Sequence, residues 1–215
     1  MSLRTEVSDI RVDYLQGSLE RADLQDDPIL QFEQWFQAAV KAEVNEPNAM
    51  SLGTVKNGQP SIRIVLLKGF DERGFVFYTN YNSRKGQEIA ANTKAALTFF
   101  WPELERQIRI EGEFAKVSVE ESDAYYNQRG KGSRIGAWAS PQSEVIDGRE
   151  ALEEKVAELS QQYAETDEVP RPTHWGGYRV KPHYIEFWQG RKSRLHDRFA
   201  YRKSGNAWTI DRLAP

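Results

Sequence analysis

The sequence predicts a mainly β protein with flanking α-helices, an α+β fold in which antiparallel strands form a barrel or a sandwich. Short runs of β-branched and aromatic residues, such as Ile62 to Leu67 and Phe75 to Thr79, are joined by turn-type sequences. Helical patterns interrupt these strands without the alternation that a parallel sheet needs. We expect an open barrel in a single domain over residues 26–215, preceded by a polar, mobile arm over residues 1–25.

Helices are predicted where capping residues precede apolar residues at helical spacing. Asp27 is a good N-cap, Pro28 suits the first helical position, and apolar residues recur from Ile29 to Val40. The same reasoning predicts three further helices: Ser83 to Ala91, a helix that starts with a capping box of Ser118 and Glu121, and residues 147–164 with a core stripe of Leu152, Val156, Leu159 and Tyr163.

Strands are predicted between turn signals. Asn57-Gly58 is typical of a tight hairpin, and Gly112 inside a strand pattern indicates a bulge or a close backbone approach. We expect Ile62 to Leu67 to form a hairpin with Phe75 to Thr79. The other predicted strands are Ala49 to Val55, Ala95 to Trp101, Gln107 to Val117, Tyr184 to Gln189, Arg194 to Tyr201 and Trp208 to Leu213.

The composition excludes several classes of protein. A hydrophobic share of 39% with six Trp is far from that of disordered chains. No apolar run approaches the roughly 20 residues of a membrane span, the start lacks a signal-peptide core, and cysteine is absent. A net charge of −3 disfavours a broad nucleic-acid surface. We expect a cytoplasmic protein with no nucleic-acid or membrane partner and, at most, a local anion site.

One candidate anion site lies between Arg63 and Lys85. Arg63 and Lys68 bound the first predicted strand, and Arg84 and Lys85 stand in the first turn of a predicted helix. Cations there oppose the helix dipole unless an anion is bound at the exposed backbone N–H groups. A phosphate site and a solvated basic corner both explain this pattern, and the residue types alone leave the two interpretations open.

A second candidate is the segment RLHDRF. In a strand, Arg194, His196 and Arg198 would share one face, with Leu195, Asp197 and Phe199 on the other. A row of three potential cations is either solvated or opposed by an anionic ligand. Solvation is the more common explanation for such rows, so the segment by itself does not establish a site.

Two other kinds of site are not indicated. The histidines have no metal-type partners at useful spacing, so we predict no metal site. The segment GKGSRIGAWASPQS is glycine-rich but matches neither dinucleotide nor P-loop patterns, and no βαβ alternation surrounds it. A Rossmann site is therefore rejected.

Several long motifs together resemble the pyridoxine (pyridoxamine) 5′-phosphate oxidase family. The resemblance runs from about Arg11 to Pro215 and rests on RIVLLK, FYTN, SRK, LERQ, QRGKGSRIGAWAS-PQS, HWGGYRV, IEFWQG, RLHDRF and IDRLAP in family order and spacing. It implies a homodimer with an antiparallel FMN-binding split β-barrel fold, in which each cofactor contacts both subunits.

The resemblance also implies site residues. Arg194 and His196 are the expected catalytic residues, beside the substrate's pyridine ring. FMN is expected to contact Arg63, Ile64, Val65, Leu66, Leu67, Lys68, Tyr78, Thr79, Arg84, Lys85, Gln107, Gln142, Ser143, Trp188 and Arg198. Substrate is expected to contact Arg11, Tyr14, Lys68, Tyr125, Arg129, Ser133, Arg194, Leu195 and His196, with the phosphate on Lys68, Tyr125, Arg129 and Ser133.

The implied activity is oxidation of pyridoxine 5′-phosphate or pyridoxamine 5′-phosphate to pyridoxal 5′-phosphate in vitamin B6 metabolism. O2 is the acceptor, H2O2 is released, and the amine also releases NH3. Two competing functions stay open: another split-barrel flavoprotein such as an NAD(P)H-dependent flavin reductase, and a non-catalytic flavin- or pyridoxal-phosphate-binding protein. An RNA-binding barrel is disfavoured by the acidic charge balance.

Overall fold

The structure is a computed structural model that describes residue 10 and residues 13–215. The described part contains five α-helices: α1 (Pro28–Lys41), α2 (Arg84–Ala91), α3 (Val119–Gln128), α4 (Lys131–Ala139) and α5 (Arg149–Gln162). Its nine strands are β1 (Ala49–Lys56), β2 (Gln59–Leu66), β3 (Gly69–Asp71), β4 (Gly74–Asn80), β5 (Lys94–Trp101), β6 (Arg106–Lys116), β7 (Trp175–Gln189), β8 (Asp197–Ser204) and β9 (Ala207–Leu213).

The strands pair in the order β2-β1-β5-β6-β7-β4-β3, and β8 pairs with β7 and β9. The pairs β3·β4, β4·β7, β7·β8 and β8·β9 are antiparallel. The two end strands of this order, β2 and β3, are separated only by Leu67 and Lys68 along the chain. The predicted antiparallel, mainly β fold with flanking helices is confirmed.

The chain forms two compact units. Among the described residues, unit 1 comprises residue 10 and residues 13–50, 97–111 and 183–215, and unit 2 comprises residues 51–96 and 112–182. The single-domain organisation stays a prediction. No helix among residue 10 and residues 13–215 has the length and apolar character needed to cross a membrane.

Unit 1 has an aromatic core built on α1. Phe32 and Trp35 are almost fully buried, as the helical spacing of apolar residues predicts. The Phe32 ring lies 5.2 Å from that of Phe99, and the Trp35 ring meets Phe187 edge-on at 5.2 Å. The predicted cap is present, because Asp27 Oδ1 accepts the Ile29 N–H at 2.7 Å.

The core of unit 2 includes aromatic residues of β4, β6 and β7. Phe77 and Phe114 are buried with Tyr178, and the ring centroids of these pairs are 5.9 to 6.2 Å apart. Burial raises the pKa of Tyr178 to about 12. A satellite cluster joins α4 to α5 and contains Ile135, Ala139, Leu159 and Val169, with Leu152 and Tyr163 packed against it. The predicted stripe of α5 is therefore core, except that Val156 is 36% exposed.

Local turn and cap predictions are confirmed. Asn57 and Gly58 both have positive φ and join β1 to β2. A Cβ on Gly112 would lie 2.2 Å from the Lys181 carbonyl oxygen, so this glycine permits a close backbone approach. Ser118 Oγ accepts the Glu121 N–H at 3.1 Å. Only this half of the predicted capping box forms, because the Glu121 carboxylate binds Arg73 and Arg179 and not the Ser118 N–H.

Two strand predictions were wrong. The hairpin partner of β4 is the short β3, whereas β2 pairs with β1. Between Leu66 and Gly69 the chain passes from β2, which is paired with β1, to β3, which is paired with β4. Near the C-terminus, β8 begins only at Asp197, so Arg194, Leu195 and His196 precede it and share no pleated face with Arg198. β7 also begins earlier than predicted, at Trp175.

Residues 16–25 form hydrogen bonds with other parts of unit 1. Leu19 is 3% exposed, and its N–H donates to Asp197 at 3.1 Å. The Gln16 N–H donates to Glu105, and the Tyr201 hydroxyl donates to the Gln25 carbonyl at 2.7 Å. These bonds fasten the second part of the predicted arm, whose mobility stays a prediction.

Candidate functional site

Unit 2 contains a cavity of about 630 Å³ between β2, β4, the helices α2 to α4 and the start of β7. Eleven residues that the family resemblance assigns to FMN or substrate line it: Ile64, Val65, Leu66, Lys68, Tyr78, Thr79, Lys85, Tyr125, Arg129, Ser133 and Gln142. Both predicted ligand sets therefore meet in one cavity of this unit.

The cavity is positively charged and lacks an acidic lining residue. Lys68, Lys85 and Arg129 line it, and none of them forms an ion pair with a residue that the structure describes. Nη1 of Arg129 is buried and has no hydrogen-bond partner among the described residues. Burying cationic donors without partners is costly unless an anion completes the site. The cavity is therefore suited to an anion.

Lys85 stands in the first turn of α2, whose N-cap is Ser83. Its Nζ donates to Thr79 Oγ1 and Gln142 Oε1, each at 3.2 Å. Burial, and then the nearby Arg63, lower the pKa of Lys85 because both disfavour its charged form. An anion at this helix N-terminus would relieve both effects.

Three aromatic rings form a stacked wall of the cavity. The Tyr78 ring lies parallel to Tyr125 at 4.0 Å and to Trp175 at 5.6 Å. The Arg129 guanidinium lies over the Trp175 ring, with Cζ 4.6 Å from its centroid. Burial, and then Glu121, raise the pKa of Tyr78, so its hydroxyl stays protonated. The wall therefore offers flat apolar faces beside cationic donors.

Arg63 and Arg84 do not line the cavity. Arg63 binds Glu88 at 2.6 Å and Thr54 at 2.5 Å, and Arg84 Nε binds Glu88 at 2.9 Å. Burial opposes the charge on Glu88, but hydrogen bonds from Thr54, Arg84 and Arg63 outweigh it and lower its pKa. Of the four cations in the candidate anion site, the structure places Lys68 and Lys85 in the cavity lining and leaves Arg63 and Arg84 outside it.

The remaining predicted residues of unit 2 also lie outside this lining. Leu67 is 4% exposed and belongs to the core. Ser143 is exposed and has a φ of 77°. Its left-handed backbone follows Gln142, which does line the cavity.

Unit 1 carries a second group of predicted residues. Tyr14, Trp188 and His196 form an aromatic cluster, with ring centroids 4.5 Å apart for Trp188 and His196 and 5.7 to 5.8 Å for the pairs with Tyr14. A Cβ on Gly190 would lie 2.8 Å from Tyr14 Cγ, so this glycine makes room for the tyrosine. Gln107, in β6, also lies in unit 1, and Arg11 lies outside the described residues.

His196 has a defined hydrogen bond on one ring nitrogen. The backbone N–H of Arg191 donates to His196 Nδ1 at 3.1 Å, so a neutral imidazole carries its proton on Nε2. Burial, then Arg194 and Arg198, lower the pKa of His196. Arg194 has a φ of 62°, and Leu195 is 69% exposed.

Arg198 is held by an anionic partner. Its Nε binds Glu186 at 2.8 Å, and Nη1 donates to the Ala214 carbonyl at 2.8 Å. Glu186 is 1% exposed and also binds Arg109 at 3.1 Å. The prediction that Arg194, His196 and Arg198 share one strand face is therefore wrong, because Arg194 and His196 precede β8, and Arg198 is paired with Glu186.

Sequence reasoning missed six lining residues, namely Asn80, Gly130, Gly136, Ala137, Ser140 and Trp175. Four of these come from the glycine-rich stretch that forms α4 and its two cap residues, where no local pattern marked a ligand. Trp175 stands in the HWGGYRV motif, but only the fold shows that its ring reaches the cavity. The described residues contain no group of three or more His, Asp or Glu side chains that could hold a metal ion.

Two family models match the chain. The model described as pyridoxamine 5′-phosphate oxidase matches residues 36–163, and the model described as pyridoxine 5′-phosphate oxidase C-terminal dimerisation region matches residues 175–215. The chain belongs to the pyridoxamine 5′-phosphate oxidase family.

Relatives in this family match along nearly their whole length. A pyridoxine/pyridoxamine 5′-phosphate oxidase of Acaryochloris marina is 56% identical over 213 residues, which cover 99% of this chain and 97% of the relative. One of Paraburkholderia phymatum is 59% identical over 211 residues, covering 97% of this chain and 99% of the relative.

Solved structures of the family share the fold. PhzG from Burkholderia lata, solved with tetrahydrophenazine-1-carboxylic acid, is 34% identical, with a TM-score of 0.86 over 92% of this chain and 98% of PhzG. A pyridoxamine 5′-phosphate oxidase-related, FMN-binding protein from Nostoc punctiforme has a TM-score of 0.66 at 18% identity over 84% of this chain and 97% of that chain. The fold is thus the split barrel of this family.

Proposed function

We propose that this chain is an FMN-dependent oxidase that converts pyridoxine 5′-phosphate or pyridoxamine 5′-phosphate to pyridoxal 5′-phosphate, with O2 as acceptor. The observation that carries the proposal is the unit 2 cavity, where Lys68, Lys85 and Arg129 have no acidic neighbour in the lining. A site with several unpaired cationic donors and aromatic faces suits phosphorylated, planar ligands.

The cofactor of this chain is FMN, as membership of the family implies. The fit rests on two features of unit 2: Lys85 at the N-terminus of α2, and a wall of exposed apolar side chains that includes Ile64 and Leu66. When bound, FMN supplies the hydride acceptor and its reoxidation by O2. Lys85, Thr79 and Gln142 would hold its phosphate, because their polar atoms already converge.

The residues of the chain would bind and orient the substrate. Lys68, Tyr125, Arg129 and Ser133 would hold the substrate phosphate, which does not react. Arg194 and His196 would contact the pyridine ring, where the Nε2–H of neutral His196 can donate to a ring substituent. We assign these two residues orientation and electrostatics, since a hydride can leave an alcohol or amine carbon without a strong protein base.

A homodimer is part of the proposal. The C-terminal residues 175–215 match a region described as dimerising. This region contains Trp188, Arg194, His196 and Arg198, so a partner subunit can complete a site with these residues. Shared sites of this kind are common in symmetric dimers.

PhzG suggests a second ligand class, because it was solved with a tricyclic carboxylic acid. Identities of 56% and 59% to full-length pyridoxine/pyridoxamine 5′-phosphate oxidases, against 34% to PhzG, favour the phosphorylated substrates. A flavin reductase and a non-catalytic carrier of flavin or pyridoxal 5′-phosphate are two further competing functions.

One experiment separates these functions. The purified protein is reconstituted with FMN and supplied with pyridoxine 5′-phosphate, pyridoxamine 5′-phosphate, tetrahydrophenazine-1-carboxylic acid or NADPH, while O2 consumption and H2O2 are measured. We expect turnover with the two B6 phosphates and stoichiometric H2O2. Flavin bleaching by NADPH alone, turnover of tetrahydrophenazine-1-carboxylic acid alone, or binding of pyridoxal 5′-phosphate without O2 consumption would each refute the proposal in favour of one competing function.

A further inference from the structure

Arg129 and Arg134 are partly buried arginines of unit 2 that no carboxylate among the described residues holds, and of the two only Arg129 lines the cavity. Arg179 binds Asp71 and Glu121, and Arg171 binds Asp123. Arg129 instead lies over two rings, with Cζ 4.6 Å from the Trp175 centroid and 5.9 Å from that of Tyr126. Its Nη1 is buried without a hydrogen-bond partner among the described residues.

The group that holds the Arg129 guanidinium decides how much charge and how many N–H donors it can offer to a ligand. A carboxylate would neutralise the guanidinium and occupy its N–H donors, whereas a ring face attracts the cation and occupies none of them. Burial lowers the pKa of Arg129, which is the effect expected of a cation whose environment supplies no anion. Its charge and donors are thus reserved for a ligand.

We propose that Trp175 is a positioning residue that holds Arg129 by its ring face, leaving the full guanidinium charge for the phosphate monoester of the substrate. The inference deepens the proposed function and rests on it for the identity of the phosphorylated ligand.

The fold keeps the Trp175 ring in place. Trp175 is 6% exposed, and its backbone is fixed by its N–H to the Pro172 carbonyl at 3.0 Å and by Arg171 Nη1 to its own carbonyl at 2.6 Å. Parallel stacking on Tyr78 sets the plane of the ring. The Trp175 ring is therefore held in place before any ligand binds, which lowers the entropic cost of ordering Arg129.

Substitutions at Trp175 test the proposal in the FMN-loaded protein. We expect Trp175→Leu to raise KM for pyridoxine 5′-phosphate about twofold to thirtyfold, equivalent to ~0.5–2 kcal/mol. The anaerobic flavin reduction rate at saturating substrate should stay unchanged, because the phosphate does not react. Trp175→Phe keeps a ring face, so its KM should lie between those of the parent and Trp175→Leu. Trp138→Leu, a tryptophan of α4 with no arginine over its ring, is the matched control and should leave KM unchanged.

A double-mutant cycle with Arg129→Ala shows whether Trp175 acts through Arg129. In the Arg129→Ala background, Trp175→Leu should change KM by less than about twofold, since the held group is gone. Turnover of unphosphorylated pyridoxine should be equally insensitive to Trp175→Leu. An undiminished effect in the Arg129→Ala background, an equal loss with pyridoxine, or a phenylalanine variant no better than leucine would overturn the proposal.

Two controls distinguish a failure of the Trp175 inference from a misfolded variant and from a failure of the proposed function. Urea unfolding identifies a leucine variant that fails to fold, in which case the phenylalanine variant and its cycle with Arg129→Ala decide the outcome. If the parent does not oxidise pyridoxine 5′-phosphate, the proposed function fails. The inference about Trp175 is then decided by calorimetric binding of inorganic phosphate, which Trp175→Leu should weaken and Trp138→Leu should not.

Discussion

Lys85 faces the cavity of unit 2 with two neutral hydrogen-bond partners and a lowered pKa. A dianionic phosphate is the partner that this arrangement lacks. We expect Lys85→Gln to raise the Kd for FMN about tenfold to hundredfold, from the ~1.5–3 kcal/mol typical of a hydrogen bond to a charged group. Quenching of flavin fluorescence by the apoprotein measures this Kd, and Lys56→Gln, at the exposed end of β1, is the control.

The pH dependence of FMN binding follows from the same lowered pKa. In the absence of FMN, the Lys85 side chain loses its proton at a pH below 10.5, the usual pKa of a lysine. Because only the protonated form attracts phosphate, FMN affinity should fall as the pH rises through that lowered pKa. Lys85→Gln should lose this alkaline limb, and an unchanged limb in the variant would assign the titration to another group.

His196 should impose an acid limit on activity. Its pKa is below the usual 6.5, and its Nδ1 accepts the Arg191 N–H only while unprotonated. The unfolded chain binds this proton at higher pH than the folded one, so acidification through this range also lowers stability. We expect kcat/KM of the parent to fall as the pH drops through the lowered pKa of His196.

The variant His196→Asn keeps an acceptor for Arg191 but cannot titrate. Its kcat/KM should be lower and flatter on the acid side than that of the parent, because a misplaced reacting carbon slows hydride transfer. His183→Asn, an exposed histidine of β7, should keep the parent profile. An acid limb that survives unchanged in His196→Asn would contradict the assignment.

At the scale of elements, a four-charge network joins the β3–β4 hairpin, α3 and β7. Arg179 and Arg73 both bind Asp71 and Glu121, yet the Arg179 side chain is 7% exposed and that of Arg73 is 56% exposed. Arg179→Met should lower the free energy of unfolding by about 2–3 kcal/mol, less than for a fully buried pair because the carboxylates keep some solvent contact.

Arg73→Met is the matched control, since it removes an exposed arginine from the same carboxylates. Its effect on stability should be much smaller, and urea unfolding of both variants measures the difference. Equal decreases in the free energy of unfolding would show that the number of charges in the network matters and that burial of Arg179 does not.

At the scale of the whole molecule, we expect a homodimer that binds one FMN per subunit. Residues 175–215 match a dimerisation region, and β2 exposes an apolar row in which Ile62 and Ile64 are 72% and 64% exposed. Such a row is costly in water and is commonly covered by a partner. Light scattering at micromolar concentration should give twice the mass of one chain.

A charged residue in this row should weaken the dimer. Ile62→Glu should increase the monomer fraction and lower FMN binding in parallel, whereas Val119→Glu, at an exposed apolar site in the first turn of α3, should do neither. A monomer of the parent that retains FMN and turns over substrate would refute the shared-site dimer.

Local interactions explain which parts of the fold were predictable. Asp27, Ser83 and Ser118 accept N–H groups two or three residues away, and Asn57-Gly58 adopts positive φ within one turn. The predicted pairing of Ile62 to Leu67 with Phe75 to Thr79 failed because either neighbour satisfies a β-rich run equally well. Asn57-Gly58 predicted that β2 pairs with β1, but only the structure shows that β4 pairs with β3.

The sequence by itself determined the mainly antiparallel fold, the family and most of the residues that line the cavity, because these depend on local pattern and on long motifs. The tertiary structure decided which cations are free. Arg63 is neutralised by Glu88, 25 residues away, and Arg198 by Glu186, while Arg129 lies on the Trp175 ring. Charge compensation depends on which side chains meet across the fold, and no spacing along the chain encodes those distances.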